Sequence, residues 1–297
     1  MDQKTFGFAI IGTGAIAAIH AKAIAAIPNA TLLAVYNRTK EKAEAFAETY
    51  ACKAYHSIDE LLEDPNIDII SICTASGSHL EAAEKALRAG KHCLIEKPLE
   101  ITTERCDRII SLAEQQVLQV GTIFPTRFYP NSIKIKKQLD EGGFGDLVIG
   151  SAYVKWHRSP AYYASAAWRG TWELDGGGAL MNQGIHAVDM LLWYMGAVDH
   201  VTALAANRLH QDIEVEDTVV AQIQFKSGAL GTIECSTAAY PGTAKRVEII
   251  GSKGSAILEE NSLTLWDFQD QESDENPEKT AVVSGGVSDP MAIGHYA

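Results

Sequence analysis

Residues 91–99 read Lys-His-Cys-Leu-Ile-Glu-Lys-Pro-Leu, a β-prone apolar run that stops at an acid, a base and a proline. Proline has no N–H for a buried ladder, so a strand here ends near Glu96. At the carboxyl end of a strand in an open α/β sheet, Lys97 faces the crevice where ligands bind. An amine there stands at the edge of a bound cofactor, where it can serve as a general acid or base. Free lysine has a pKa of about 10.4, so this role needs burial or a nearby positive charge to disfavour the ammonium form. The alternative is an ordinary solvated Lys-Pro turn.

A second polar set is Asn182, His186 and Asp189. Their spacing places all three on one face of a helix predicted from Ala179 to Met195. Gly176-Gly177-Gly178 precedes that helix, and Leu180, Gly184, Val188, Leu191 and Met195 form its apolar stripe. An imidazole with an intrinsic pKa near 6.5 can share a proton or pass it to water. Polar packing on a helix face is the bland alternative. Between the two sets, Lys155, Trp156, His157, Arg158, Tyr162, Tyr163, Trp168, Arg169 and Trp172 interleave rings with cations. That composition suits a sugar ring carrying an acidic group, bound through Arg169, Arg158 or Lys155, and equally a loop packed on its own aromatics.

These groups need elements to hold them. Phe6 to Ile11 is a short apolar strand that runs into Gly12-Thr13-Gly14-Ala15-Ile16-Ala17, the pattern GxGxxA. A helix comes next, with Ile16, Ile19, Ala23, Ile24 and Ile27 at helical spacing. His20 lies inside it and reads as a packed histidine. Strand, glycine turn and helix together form a dinucleotide site: Gly12 permits the turn, Gly14 the approach of a pyrophosphate, and the helix N-terminus supplies N–H groups. The second strand, Thr31 to Tyr36, ends in Asn37-Arg38-Thr39 where an NAD site usually has an acid. Arg38 can pair with a 2′-phosphate, so NAD(P)(H) is expected with a lean to NADP. The alternative keeps an NAD ribose on Asn37, with Arg38 in solvent or on the adenine.

The alternation continues through helix 40–50, strand 52–55, a helical turn at 58–63 and the β-run 67–73. That run ends in a small polar loop, Thr74 to Ser78, suited to ribose or nicotinamide. Helix 79–89, capped by Gly90, precedes the Lys97 strand, helix 102–116 and a last strand 117–123. Strands alternating with helices imply a parallel, doubly wound sheet. Composition changes after about Phe124. Pro130 to Glu141 is predicted helical, and Asp146 to His157 alternates as a strand. Strands are predicted at 200–207, 218–225, 229–237, 246–250, 256–258 and 262–266, with turns at Lys226-Ser227-Gly228 and Lys253-Gly254. They make an antiparallel meander with one sheet face free for a partner subunit. The acidic run 270–279 reads as a solvated loop. The expected fold is α/β: a Rossmann domain over 1–124, then an α+β domain over 125–297 with a large, mostly antiparallel open sheet.

Bulk properties narrow the function. Net charge is −13 over 297 residues, with no basic cluster, which argues against a nucleic-acid partner. No apolar run approaches the ~20 residues of a membrane helix. The five scattered cysteines include no CxxC and read as reduced thiols in a cytoplasmic protein, not as a metal or disulfide framework.

Gly12-Thr13-Gly14, Ile72-Cys73-Thr74 with His79, and above all Gly90-Lys91-His92 with Glu96-Lys97-Pro98 beyond it, resemble the Gfo/Idh/MocA family. These are the glucose–fructose oxidoreductase and inositol dehydrogenase-like enzymes, and the resemblance covers essentially the whole chain. It implies a dehydrogenase acting on a sugar, cyclitol or nucleotide-sugar hydroxyl. It implies catalysis by Lys97 and His186, with Asn182 orienting substrate where the family has an aspartate that could take a proton. The cofactor set becomes Gly12, Thr13, Gly14, Ala15, Ile16, Asn37, Arg38, Thr74, Ser76, His79, Glu96, Lys97, Trp168 and Arg169. The substrate set becomes Lys97, His157, Tyr163, Arg169, Asn182 and His186, and no metal is expected. Ala75 stands where the family often has proline. Family members continue past the position of His295 with a helical segment, so a shortened chain with weaker docking of its two domains is expected, as is a homodimer or homotetramer through the C-terminal sheet. Two alternatives within the family are a glycosidase that uses NAD transiently and a sensor that binds dinucleotide or sugar without turnover.

Overall fold

The computed structural model describes residues 4–269. These fall into two compact units, one running to Ile123 and including Glu173–Gly176, the other made of Phe124–Trp172 and the residues from Gly177 on.

The first unit alternates β1 (Phe6–Ile11), α1 (Ala15–Ala26), β2 (Ala30–Tyr36), α2 (Lys40–Tyr50), β3 (Lys53–Tyr55), α3 (Ile58–Leu62), β4 (Ile69–Ile72), α4 (His79–Arg88), β5 (His92–Ile95), α5 (Thr103–Gln116) and β6 (Val120–Thr122). The strands form one parallel sheet in the order β3-β2-β1-β4-β5-β6. β1 is buried over nearly its whole length, as expected of a central strand with helices over both faces. The order reverses between β1 and β4, which is where such sheets bind ligands, beyond the strands' carboxyl ends. Two expectations are corrected. α1 buries Ala17, His20, Ala21, Ala23 and Ile24, while Ile16, Ile19 and Ile27 stay half-buried. Alanines let the helix lie close to β1 and β2, so the packed face is the small one. β6 begins at Val120, because Val117 takes a left-handed conformation (φ 56°) that closes α5.

The second unit contains α6 (Pro130–Asp140), β7 (Leu147–Lys155), α7 (Pro160–Ala164), α8 (Ile185–Met195), β8 (Val198–Ala206), β9 (Thr218–Phe225), β10 (Leu230–Ser236), β11 (Arg246–Gly251), β12 (Gly254–Glu259) and β13 (Ser262–Phe268). Its sheet order is β13-β12-β11-β7-β10-β9-β8. The expected meander is thus split. β7 lies between β10 and β11, parallel to the former and antiparallel to the latter. β9 shows the period-2 pattern, with Val219, Ala221, Ile223 and Phe225 inward and Val220, Gln222 and Gln224 outward. The inward face packs on Met190, Leu191, Tyr194 and Met195 of α8. The other face leaves Ile149, Leu204, Val220 and Leu230 exposed.

The helix expected from Ala179 to Met195 is two pieces, a π-helical turn over Ala179–Gly184 and then α8. Among the described residues no helix is long and apolar enough to cross a membrane, and all five cysteines are free. The acidic run 270–279 and everything past it lie outside the described residues.

Candidate functional site

The glycine turn after β1 is set by crowding on one side and space on the other. Gly12 has φ +99°, and a Cβ there would lie 2.5 Å from the Cys73 carbonyl oxygen, so only glycine fits where the β1 and β4 loops meet. Gly14 is the reverse case: nothing lies within 4 Å of its Cβ position. Gly14 caps α1 without a side-chain hydrogen bond, and the first turn carries no acid. The backbone N–H groups of Ala15 and Ile16 therefore stand at an open helix N-terminus, where the dipole favours an anion. A dinucleotide pyrophosphate fits this cradle without displacing a side chain.

Around it, the Asn37 Nδ2 donates to Thr13 Oγ1 (2.8 Å), and Asn37 Oδ1 accepts from the Thr39 N–H (2.8 Å). Asn37 thus braces the glycine turn against the end of β2, while Arg38 is exposed beside it. Thr74 is half-buried at the end of β4, and the buried Ser76 opens a short 3₁₀ turn over Ser76–Ser78. His79 does not face this crevice. It is 1% exposed, with Nδ1 2.9 Å from the Pro98 carbonyl and Nε2 3.3 Å from the Thr74 carbonyl. In its neutral form the ring donates its one N–H to one of these carbonyls, that of Pro98 being the nearer, and so helps tie α4 to the loop after β5. Burial holds its pKa below the ordinary value against those carbonyls.

β5 ends at Ile95, as the proline requires, and the Lys97–Pro98 peptide is cis. Glu96 is buried and Lys97 half-buried. The Glu96 Oε2 accepts from the Lys97 backbone N–H (3.1 Å), and its Oε1 lies 2.8 Å from His20 Nε2.

The second unit gathers the other predicted residues around its π-helical turn. Glu216 holds the start of that turn: its carboxylate accepts from the Gly178 and Leu180 N–H groups (2.9 and 3.0 Å), and its carbonyl from Ala179 N–H (2.9 Å). A Cβ on Gly178 would sit 1.7 Å from that carbonyl oxygen. Asn182 Oδ1 accepts from Gln183 Nε2 (2.9 Å), which also donates to the Tyr162 hydroxyl (2.7 Å). Arg158 donates to Gln183 Oε1 (2.9 Å) and Arg169 to the Tyr162 hydroxyl (2.6 Å). Arg169 lies over the rings of Tyr162 and Trp168. The cluster packs on its own rings, as one of the two readings expected, and is linked through Gln183 to Asn182.

Other placements correct the sequence reading. Asp189 is 8% exposed and forms a two-pronged ion pair with Arg127. Burial pushes its carboxyl up and Arg127 opposes that. The predicted polar stripe is broken, because the π-helical turn shifts Asn182 out of register with α8. His186 is half-buried, its ring edge-on to Phe124 at 6.2 Å. Tyr163 is occupied structurally, its hydroxyl 2.8 Å from Thr237 Oγ1 and its ring on His210. His157 is half-buried and edge-on to Tyr240. Lys155 forms an exposed ion pair with Glu234 at 2.6 Å. Gln183, Glu216 and Arg127 carry no sequence signal of their roles, because each acts on residues distant in the chain or through one neighbouring amide.

A family model described as an oxidoreductase family with an NAD-binding Rossmann fold matches residues 6–124, and the GFO/IDH/MocA C-terminal domain matches residues 132–257. The chain is 32% identical over 270 residues to a myo-inositol 2-dehydrogenase of Thermotoga maritima, covering 88% of this chain and 78% of that protein. It is 30% identical over 263 residues to an inositol 2-dehydrogenase of Rhizobium meliloti, covering 86% and 76%. Among solved structures it resembles the WlbA dehydrogenase of Bordetella pertussis in complex with NADH and UDP-GlcNAcA. There the TM-score is 0.87 at 30% identity, over 92% of this chain and 83% of that one.

Proposed function

We propose that this chain, which belongs to the GFO/IDH/MocA oxidoreductase family, is a nicotinamide-dependent dehydrogenase of a secondary hydroxyl on a sugar, cyclitol or nucleotide-sugar. One observation carries the reading: the open cradle at Gly14 and the Glu96–Lys97 strand end belong to one parallel sheet, at and beside its reversal. The names of the relatives supply the substrate class.

A nicotinamide dinucleotide, when bound there, would supply the hydride acceptor for the carbon that becomes the carbonyl. Gly12 through Ile16 hold the pyrophosphate, with Thr74 and Ser76 toward the ribose or nicotinamide. Lys97 Nζ takes the hydroxyl proton as the hydride leaves, and His186 exchanges that proton with water. Asn182 cannot accept a proton and instead orients a substrate hydroxyl, its amide steadied by Gln183. Trp168 and Arg169 serve the cofactor, and His157 the substrate. Arg158 and Arg169 donate to the neutral groups of Gln183 and Tyr162, which leaves their charge to act on an acidic substituent. The exposed Arg38 and the absence of an acid at the end of β2 favour NADP(H). The exposed sheet face of Ile149, Leu204, Val220 and Leu230 is the surface for a second copy.

The test is absorbance at the reduced nicotinamide band, with NAD and NADP each offered against a panel of inositols, pyranoses and nucleotide-linked uronic sugars. Substrate-dependent reduction is expected. Binding of dinucleotide with no reduction across the panel contradicts the enzyme reading, and release of an aglycone without net reduction favours a transient-NAD glycosidase.

A further inference from the structure

His20, Ser71 and Glu96 form a buried polar trio in the first unit. Their exposures are 5%, 1% and 7%. His20 Nδ1 lies 2.6 Å from Ser71 Oγ, and His20 Nε2 lies 2.8 Å from Glu96 Oε1. Three elements are joined at one point: α1, the interior of β4 and the end of β5. The order hydroxyl, imidazole, carboxylate is that of a hydrolase triad, but no substrate reaches an oxygen on a residue 1% exposed, so Ser71 is no nucleophile.

The trio acts instead on the peptide between Glu96 and Lys97. The Glu96 N–H makes the last ladder bond, to the Ile72 carbonyl (3.0 Å). The next N–H, that of Lys97, donates to Glu96's own carboxylate (3.1 Å). Pro98 has no N–H to offer. The peptide that carries Lys97 is therefore tied to the Glu96 carboxylate, and that carboxylate to His20. His20 in turn lies on the helix that opens at Gly14, roughly 9 Å along its axis. Burying such groups is costly unless every member is paired, and an apolar trio would fill the space without that cost.

We propose that His20 and Glu96 are a positioning pair for Lys97, through which the helix at the dinucleotide turn fixes the lysine's backbone. This rests on the reading of Lys97 as the base. Neither residue touches substrate; both act through Lys97.

Two measurements on the full chain test it. The first needs no cofactor: competitive amine labelling with acetic anhydride, read by mass spectrometry. His20→Leu should change the labelling rate of Lys97 at least threefold while Lys40 and Lys137 stay unchanged. His20→Gln, which can donate to Glu96 and accept from Ser71, should stay near wild type. The second is a double-mutant cycle in kcat. His20→Leu should lower kcat about 30-fold, within what misplacing a catalytic group costs, with dinucleotide Kd unchanged within threefold. In the Lys97→Met background it should cause no further loss. Should His20→Leu not fold, His20→Asn, polar but too short to span both partners, carries the same comparison. An unchanged Lys97 labelling rate, or losses that simply multiply in the cycle, overturns the proposal and leaves a structural pair. Full turnover by Lys97→Met alone removes the reading of Lys97, while the labelling result still judges the positioning.

Discussion

The proposed preference for NADP(H) rests on the charge of Arg38. A guanidinium at the end of β2 pairs with a 2′-phosphate, and a carboxylate in its place repels one. Arg38→Asp should therefore lower kcat/KM for NADP at least ~10-fold relative to NAD, a difference of about 1.4 kcal/mol. An unchanged ratio in steady-state kinetics would show that Arg38 faces only solvent. Single residues vary in how far they can be read from sequence. Gly12 is legible, because a tight turn and a close approach demand one residue type, and β1 and β4 do crowd it. His79 is not: helical position says nothing about which carbonyls surround a ring, and here Pro98, Leu99 and Thr74 do. Glu216 is invisible, since its role depends on amides 36 and 38 positions away.

At the scale of elements, helix ends carry measurable stability. Thr102 caps α5, its Oγ1 accepting from the Arg105 N–H at 3.3 Å. Thr102→Ala should cost about 1 kcal/mol in urea unfolding, with m unchanged. Glu216→Ala has a sharper consequence, because it leaves the Gly178 and Leu180 N–H groups without their acceptor. It should destabilise by about 1–3 kcal/mol and also lower kcat, because the turn it holds carries Asn182. Lost stability with unchanged kcat would separate Glu216 from the site. Element type is largely readable from apolar period and turn residues, as in β9, whose predicted bounds 218–225 match. The π-helical turn is not, because Ala179–Gly184 has ordinary helical spacing and its partners are distant in sequence: Glu216 at its start, and Cys235, whose Sγ would lie 2.4 Å from a Cβ on Gly184. Nor is the insertion of β7 between β10 and β11, since pairing of strands far apart in sequence leaves no local mark.

For the whole molecule, acid should unfold the chain through its buried carboxylates. Burial raises the pKa of Glu100, but Arg105 and the N–H groups of Ile101 and Leu80 outweigh it and hold the carboxyl below its ordinary value. Burial of Asp217 is likewise outweighed by the N–H groups of His210, Arg208 and Leu209. A depressed folded pKa gives stability that is full above the unfolded values, about 3.9 for Asp and 4.3 for Glu, and is lost as pH falls through the folded ones. Melting temperature should therefore drop steeply below about pH 4, and Glu100→Gln should flatten that limb. A pH-independent melt over that window would contradict the assignment. The exposed Leu204 and Val220 face each other across β8 and β9. Leu204→Glu with Val220→Glu should convert an oligomer to a monomer in light scattering. The wild-type chain running as a monomer at the same concentration would remove the sheet face as an interface.

Proton transfer in the proposed reaction turns on the amine of Lys97. Turnover of Lys97→Met, measured beside its dinucleotide Kd, tests it most directly. A loss of at least ~100-fold in kcat with Kd within threefold is the predicted result, the usual worth of a positioned base. Turnover equal to wild type would contradict it.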